Sequence, residues 1–591
     1  MIDTEISKQF DRRSALFLTG GMILTSILVL RMLQMQIFEH RTYKKKSENN
    51  SFRIQINMAQ RGNILASSGT PISHDAPIYR IYIIPEETDD LENLVNTVAD
   101  DLKLSKKRVD KIWARIKKQQ KFQPVLISEN TNWDVLARLQ AKNLPGLHVN
   151  SGYARMYELG PAGAQFFGYV GAPDKPVTNT PFYTSGITGL EKTFEKKLAG
   201  VPGQTVMITN AVGRITGEDK TQYKSSITGN DVQTTINDAV QRKLYDTLTL
   251  HKAGCGVVMD IQTGDILAMV SSPSFNPNDF SGDDADEYMS NLRADIAKPF
   301  MNKVFEGLYP PGSTFKIVVA LAALESGAIS PNETTFCPGY WDYGDRRYHC
   351  WEHKGHGKMN LADALTHSCD IYFYQLALKI GIDSIKHMAK KLGFTEKYIT
   401  DIIPKQMTGI IPDKKWKEAH VGSNWVHGDT IISGIGQGFI LVNCMQLAVM
   451  MARVASNKMV VPRLIKTDKV PKFKSVGLQQ KNINHVLQGL EGVLKPGGTA
   501  SGSAINVNGA KMGGKTGTSQ VRSISRAERI RGVLSNEQLK WNMRNHGLFV
   551  GYAPTDNPKY VVCVITEHSG SSGSAARTAA AAMTEVLKGE E

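Results

Sequence analysis

The chain has no internal repeat and no long low-complexity run, which excludes solenoid arrays and linker-like polypeptides. It is not rich in charge either: 21% of residues are charged against 41% hydrophobic, a balance that excludes a disordered chain. The net charge is +14, yet the Lys and Arg residues are scattered and form no stripe with interleaved aromatics. That absence argues against nucleic acid and leaves an anionic membrane or a cell-wall surface as the partner of the basic balance. With 591 residues, the chain is long enough for more than one domain and a substantial core.

Residues Ser14 to Leu30 contain no charge and follow Arg12 and Arg13. Met32, Leu33, Met35, Ile37 and Phe38 extend this run to the length of a spanning helix, with Arg31 snorkelling. A cleaved signal peptide is the alternative, but no A-x-A-like site follows, so an uncleaved anchor over 14–38 is expected. Lys8, Arg12 and Arg13 precede the span, whereas Arg31, Arg41, Lys44, Lys45 and Lys46 follow it. Counting basic residues alone would place the bulk of the chain in the cytoplasm.

From about 40 to 225 the pattern is mixed. Tyr79 to Ile84 and Gln165 to Val170 read as short strands, and Leu102 to Lys118 as a basic helix. Arg61-Gly62-Asn63 and Ser68-Gly69 are turn signals, and Gly186 to Glu191 leads into a charged amphipathic stretch ending near Leu198. Near 228 the character changes. Val232 onward reads as a strand passing into a helix capped by Asn237 or Asp238. Gly256 to Ile261 and Ile266 to Val270 form a hairpin around Thr263-Gly264-Asp265. Gly547 to Tyr552 and Tyr560 to Ile565 are two further strands, followed by a helix from about Ala575 to Leu587. Strands at both ends with helices between indicate an α+β domain.

Tyr309-Pro310-Pro311-Gly312 ends a loop, and Ser313 opens an apolar helix that runs to Glu325, with Gly327 as its stop. Ser313 and Lys316 are three apart and share a face. A serine hydroxyl needs a base within reach, and a lysine can serve once burial disfavours its ammonium. Alone, the pair reads more readily as a helix N-cap followed by a surface lysine than as a catalytic pair. Two later segments change that: Ser368-Cys369-Asp370 before a helical stretch, and Lys515-Thr516-Gly517-Thr518-Ser519 after Gly513-Gly514.

These three segments, in this order, resemble the S-x-x-K, S-x-N and K-T-G motifs of the penicillin-recognising serine transferases. The resemblance implies that Ser313 attacks the carbonyl of a D-alanyl-D-alanine peptide, that Lys316 takes its proton, and that Ser368 relays a proton to the leaving D-alanine. Lys515, with the Thr516 and Thr518 hydroxyls on either side of Gly517, would meet the peptide carboxylate. The backbone N–H groups of Ser313 and Thr518 would form the oxyanion hole. One departure stands out: Asp370 occupies the place of Asn. An ionised carboxylate accepts but does not donate, so Asp370 is expected to bond Lys316 and favour its charged form.

The anchor, Arg61 to Leu65, Gly189-Leu190-Glu191 and Gly434 to Gly438 resemble class B penicillin-binding proteins over nearly the whole chain. Ser368-Cys369-Asp370, Gly428-Asp429-Thr430 and Gly355-His356-Gly357 look most like the penicillin-binding protein 2 group, the transpeptidases of cell elongation. The resemblance implies a cytoplasmic tail (1–13), a single-pass inner-membrane anchor (14–38), a pedestal or interaction domain of dimerisation type (39–227) and a transpeptidase domain (228–591) with a five-stranded antiparallel sheet flanked by helices. It also implies a catalytic domain in the periplasm, against the basic-residue count. Stem peptides, β-lactams, a glycan polymerase of the shape, elongation and division (SEDS) family and elongation-complex proteins are the expected partners. A division-specific transpeptidase, a β-lactam hydrolase or sensor, and an inactive scaffold are the rival readings.

Of six cysteines, Cys255, Cys444 and Cys563 lie in apolar contexts and read as buried small residues. Cys337, Cys350 and Cys369 bracket His356 and would suit tetrahedral zinc, although the spacing is not that of a zinc finger. The set is similar to a zinc site of penicillin-binding protein 2 members, where it would order the loop carrying Ser368. A Cys337–Cys350 disulfide or plain thiols are the alternatives, and His349 and His353 are rival ligands.

Overall fold

The computed structural model describes residues 2–41, 52–131, 133–173, 184–209, 215–280, 285–522, 528 and 531–589. Lys44, Lys45 and Lys46, which weigh in the basic-residue count, lie outside the described residues. The N-terminal helix Ile2–Leu33 continues into a π-helical turn, Gln34–Phe38. Its apolar stretch Ser14–Phe38 is 25 residues long with no part buried by the rest of the chain. At 1.5 Å per residue it measures about 37 Å, enough to cross a bilayer core with some tilt. It is a candidate membrane anchor.

Two sheets follow. Phe52–Asn57, Gly203–Thr209 and Ile215–Lys224 form a three-stranded antiparallel sheet with Gly203–Thr209 central. The second runs Val232–Gln233, Ile64–Leu65, Pro71–Ile83, Val125–Thr131, with Leu147–Tyr157 also paired along Pro71–Ile83. Its inward residues, among them Ile81, Ile83 and Ile127, pack on the helices Leu91–Asp101 and Lys106–Lys118 through Leu94, Val98 and Ile112.

Two expectations for this region are corrected. The basic helix starts at Lys106, not Leu102: Leu102 caps the preceding helix and Lys103 takes a positive φ of 52° that breaks the run. Gln165 to Val170 is not one strand. Ala164–Phe167 is a helical turn ended by Gly168 at φ 71°, and only Val170–Gly171 is extended. Phe166 and Phe167 are fully buried, so their apolar character served packing rather than a strand.

The C-terminal region is built on an antiparallel sheet in the order Ile266–Ser272, Gly254–Asp260, Tyr560–Thr566, His546–Ala553, Gly513–Ser519. Successive side chains alternate between two buried faces. Val258, Val562, Val564 and Phe549 join the core beneath Asp238–Leu248 and Gly573–Lys588. Val257, Cys563, Leu548 and Val550 face the core containing Lys316–Glu325 and Cys444–Ser456. Burial on both faces explains why the strands read as continuous apolar runs. Asn237 is the helix cap, its side chain accepting from the Val240 N–H at 3.2 Å. This is the α+β architecture that the sequence indicated.

Candidate active site

The loop before Ser313 is held by backbone bonds between Tyr309 and Val442 in both directions, at 2.8 and 2.9 Å. Gly312 has φ 54° and donates its N–H to Gly436 O at 2.9 Å. A Cβ there would lie 2.8 Å from Thr518 O and 3.5 Å from Thr518 N. Glycine is therefore what lets the first motif approach the third. Gly312–Phe315 forms a 3-10 turn that runs into the helix Lys316–Glu325, which places Ser313, half-buried, one turn before Lys316.

The Lys316 side chain is completely buried. Its Nζ donates to Ser368 O at 2.8 Å, to Ser368 Oγ at 3.2 Å and to Asp370 Oδ1 at 2.7 Å. Three acceptors match the three donors of an ammonium. Ser368 follows the helix Leu361–Thr366 and adopts a left-handed φ of 56°; Asp370 opens the helix Asp370–Lys391. The second oxygen of Asp370 accepts the Trp351 backbone N–H at 3.0 Å, and the Trp351 indole N–H is shared between His367 O and Ser368 O, both at 3.1 Å.

The third motif occupies the sheet-edge strand Gly513–Ser519. Lys515 is fully buried; burial, and then the neighbouring positive charge of Lys316, push its ammonium well below the usual lysine range. Thr516 Oγ1 pairs with Thr499 Oγ1 at 2.9 Å. A Cβ on Gly517 would come within 3.0 Å of Pro311 O, and Thr518, with its side chain exposed, accepts the Gln437 amide on its carbonyl at 3.2 Å. The structure thus brings the three segments carrying Ser313, Lys316, Ser368, Asp370, Lys515, Thr516, Gly517 and Thr518 together. Sequence reasoning missed Trp351, Thr499 and the role of Gln437. Only Gln437 carried a signal, since it lies in the Gly434 to Gly438 segment already singled out.

Cys337, Cys350, His356 and Cys369 converge, with their candidate ligand atoms all within 4.8 Å of one another. His356 Nδ1 lies 3.7 Å from Cys337 Sγ and 3.5 Å from Cys350 Sγ. Around tetrahedral zinc, with Zn–S about 2.3 Å and Zn–N about 2.0 Å, donors sit about 3.5 to 3.8 Å apart. The donor types suit zinc, and the two distances from His356 fall in that range. A hydrogen bond from Cys369 pulls the Cys350 thiol down to about 5, and the same contact raises Cys369. The rival ligands His349 and His353 are exposed and stand outside the cluster, and all six cysteines are free, so no Cys337–Cys350 bond is formed. Cys255, Cys444 and Cys563 are buried as small core residues.

A sheet edge carrying K-T-G beside a buried serine–lysine helix defines a serine acyltransferase of the penicillin-recognising class. Residues 254–587 match the family described as penicillin binding protein transpeptidase domain, residues 56–234 match the penicillin-binding protein dimerisation domain, and the chain belongs to this transpeptidase family. It is 32% identical to the peptidoglycan D,D-transpeptidase MrdA of Acinetobacter baumannii, over 96% of this chain and 86% of that relative. It is 28% identical to MrdA of Escherichia coli, over 96% of this chain and 93% of that relative. Among solved structures it resembles Pseudomonas aeruginosa PBP2 in complex with WCK 5153 (TM-score 0.64, 26% identity, 91% of this chain and 96% of that one). In fold it also resembles PBP2 of Helicobacter pylori in complex with MreC (TM-score 0.74, 24% identity, 91% and 99% covered). The activity is that of a peptidoglycan D,D-transpeptidase of the cell-elongation type.

Proposed function

We propose that Ser313 is the nucleophile of this transpeptidase and Lys316 its base, and the observation that carries this reading is the buried Lys316 Nζ held between Ser368 and Asp370 one helical turn after Ser313. An ammonium with three acceptors filled has no lone pair for the Ser313 proton. Shifting one proton from Nζ to Asp370 Oδ1 would free that lone pair, a step that the amide of an asparagine could not take in the same way. Ser313 Oγ then bonds to the penultimate D-alanine carbonyl carbon as its proton passes to Lys316. Collapse of the tetrahedral intermediate breaks the peptide C–N bond, with Ser368 passing a proton to the leaving amine of D-alanine. Lys515, Thr516 and Thr518 receive the terminal carboxylate, and the Ser313 and Thr518 N–H groups face the oxyanion, with Gly517 small enough for the close strand approach. The amine of a second stem peptide attacks the acyl-enzyme and forms the cross-link.

Cys337, Cys350, His356 and Cys369 would hold a structural zinc ion that clamps the loop carrying Ser368 and takes no part in the acyl transfer. The divisions are a tail (1–13), an anchor (14–38), a pedestal (39–227) and a transpeptidase domain (228–591). The catalytic domain lies outside the inner membrane, where stem peptides and β-lactams meet it. A SEDS-family glycan polymerase and elongation-complex proteins dock through the anchor and pedestal. The solved Helicobacter pylori PBP2 complex with MreC supports a partner of that kind.

The test is cross-linking of polymerised glycan by the purified full chain. Ser313→Ala should abolish it. Lys316→Ala should lower it by about 10² to 10⁴, the span that a general base contributes. Cross-linking retained by Ser313→Ala would refute the assignment.

A further inference from the structure

Resting on that reading of Ser313 and Lys316, we infer that Trp351 is a positioning residue for the acylation step. It grips from outside the two groups that Lys316 grips from inside. The Trp351 backbone N–H donates to Asp370 Oδ2 at 3.0 Å while Lys316 Nζ donates to Asp370 Oδ1 at 2.7 Å. The indole N–H reaches Ser368 O at 3.1 Å and Lys316 Nζ reaches the same carbonyl at 2.8 Å.

Ser368 stands at φ 56°, a backbone region that side-chain-bearing residues adopt only when their surroundings enforce it. The second indole bond, to His367 O at 3.1 Å, ties down the carbonyl on the near side of the same turn. One donor therefore bridges two consecutive carbonyls across the strained residue. Core packing does not account for so large a side chain here, because Trp351 is 53% exposed and its ring meets His356 only edge-on at 5.5 Å. Without the indole N–H, both carbonyls lose a donor, and the Ser368 turn that carries Oγ toward Lys316 loses its outer restraint. Small displacements of a positioned group lower a rate without abolishing binding.

The test is stopped-flow acylation of the detergent-solubilised full chain by a fluorescent penicillin, resolving the binding constant from the acylation rate constant. Two variants remove the indole donor: Trp351→Phe, which also shrinks the ring, and replacement of Trp351 by 3-benzothienylalanine, which keeps the ring size and puts sulfur in place of N–H. Both should lower the acylation rate constant about tenfold or more, leave the binding constant within twofold, and leave thermal midpoint and zinc content unchanged. Acylation at the parental rate in either variant would overturn the inference. So would slowing that merely tracks lost folded protein or lost zinc in both. Absence of any adduct on the parental protein would instead refute the reading of Ser313.

Discussion

His546 begins the strand His546–Ala553 directly opposite Ser519, the last residue of the sheet-edge strand Gly513–Ser519. Its Nδ1 accepts the His568 backbone N–H at 3.0 Å, and the two imidazole rings lie 4.3 Å apart. On its other side is the ring of Tyr309, four residues before Ser313, whose hydroxyl donates to Glu567 at 2.6 Å. Burial, and then the positive charge of His568, push His546 down to about 3. An unfolded histidine titrates near ~6.5. Below that pH the unfolded chain binds a proton that the folded chain refuses. The contribution is thus fully present above ~6.5 and is lost as pH falls toward 3, at about 1.4 kcal/mol per pH unit. At pH 5 the loss from this one group is about 2 kcal/mol. His546→Asn keeps an acceptor for the His568 N–H and removes the titration. Urea unfolding of the solubilised chain at pH 7.5 and pH 5, followed by tryptophan fluorescence, should show the parental protein losing about 2 kcal/mol more than the variant over that interval. Identical pH dependence in the two proteins would refute the reasoning.

Lys515→Met should stabilise the fold at pH 7, because it removes an amine whose charged form burial disfavours. It should also erase the rise in stability with pH between the depressed value of Lys515 and 10.5, read from unfolding midpoints, while acylation is lost. Glu191 is wholly buried between Arg61 and Arg155, with Arg155 Nε at 2.7 Å, while Arg61 also holds Glu195 and Arg155 also holds Asp75; Glu191→Gln should lower stability by about 1.5 to 3 kcal/mol, measured by denaturation, since it removes the buried charge that both guanidinium groups share and leaves each with its second carboxylate. Cys369→Ser, or removal of metal by a chelator, should slow acylation and lower the zinc found by elemental analysis, with zinc restoring only the chelated parental protein.

The parts legible in the sequence were those whose signal is local. Asn237 capped its helix through a bond three residues away, and the strands around Val257, Val550 and Val562 were apolar runs bounded by turn residues. Two prolines and a glycine before an apolar helix marked Ser313 as a helix start, and only the later segments at Ser368 and Lys515-Thr516-Gly517 made it legible as a nucleophile. Phe166 and Phe167 misled because an apolar pair does not carry a period, and the glycines flanking them decided for a helical turn. Trp351, Thr499 and His546 were illegible for another reason. Each acts through a residue brought near by the fold: Trp351 on Ser368, Thr499 on Thr516, His546 on Tyr309. Asp370, the departure from the usual motif, was marked in the sequence as a partner of Lys316, and the 2.7 Å contact is what the structure adds.

The central claim, that Ser313 is the acylated residue and Lys316 makes it so, is tested most directly by mass spectrometry of the intact chain after brief exposure to benzylpenicillin, followed by peptide mapping. The account predicts a single adduct of the mass of the opened antibiotic, located on Ser313, and its loss in both Ser313→Ala and Lys316→Ala. An adduct on any other residue, or one that forms at the parental rate in Lys316→Ala, would contradict it.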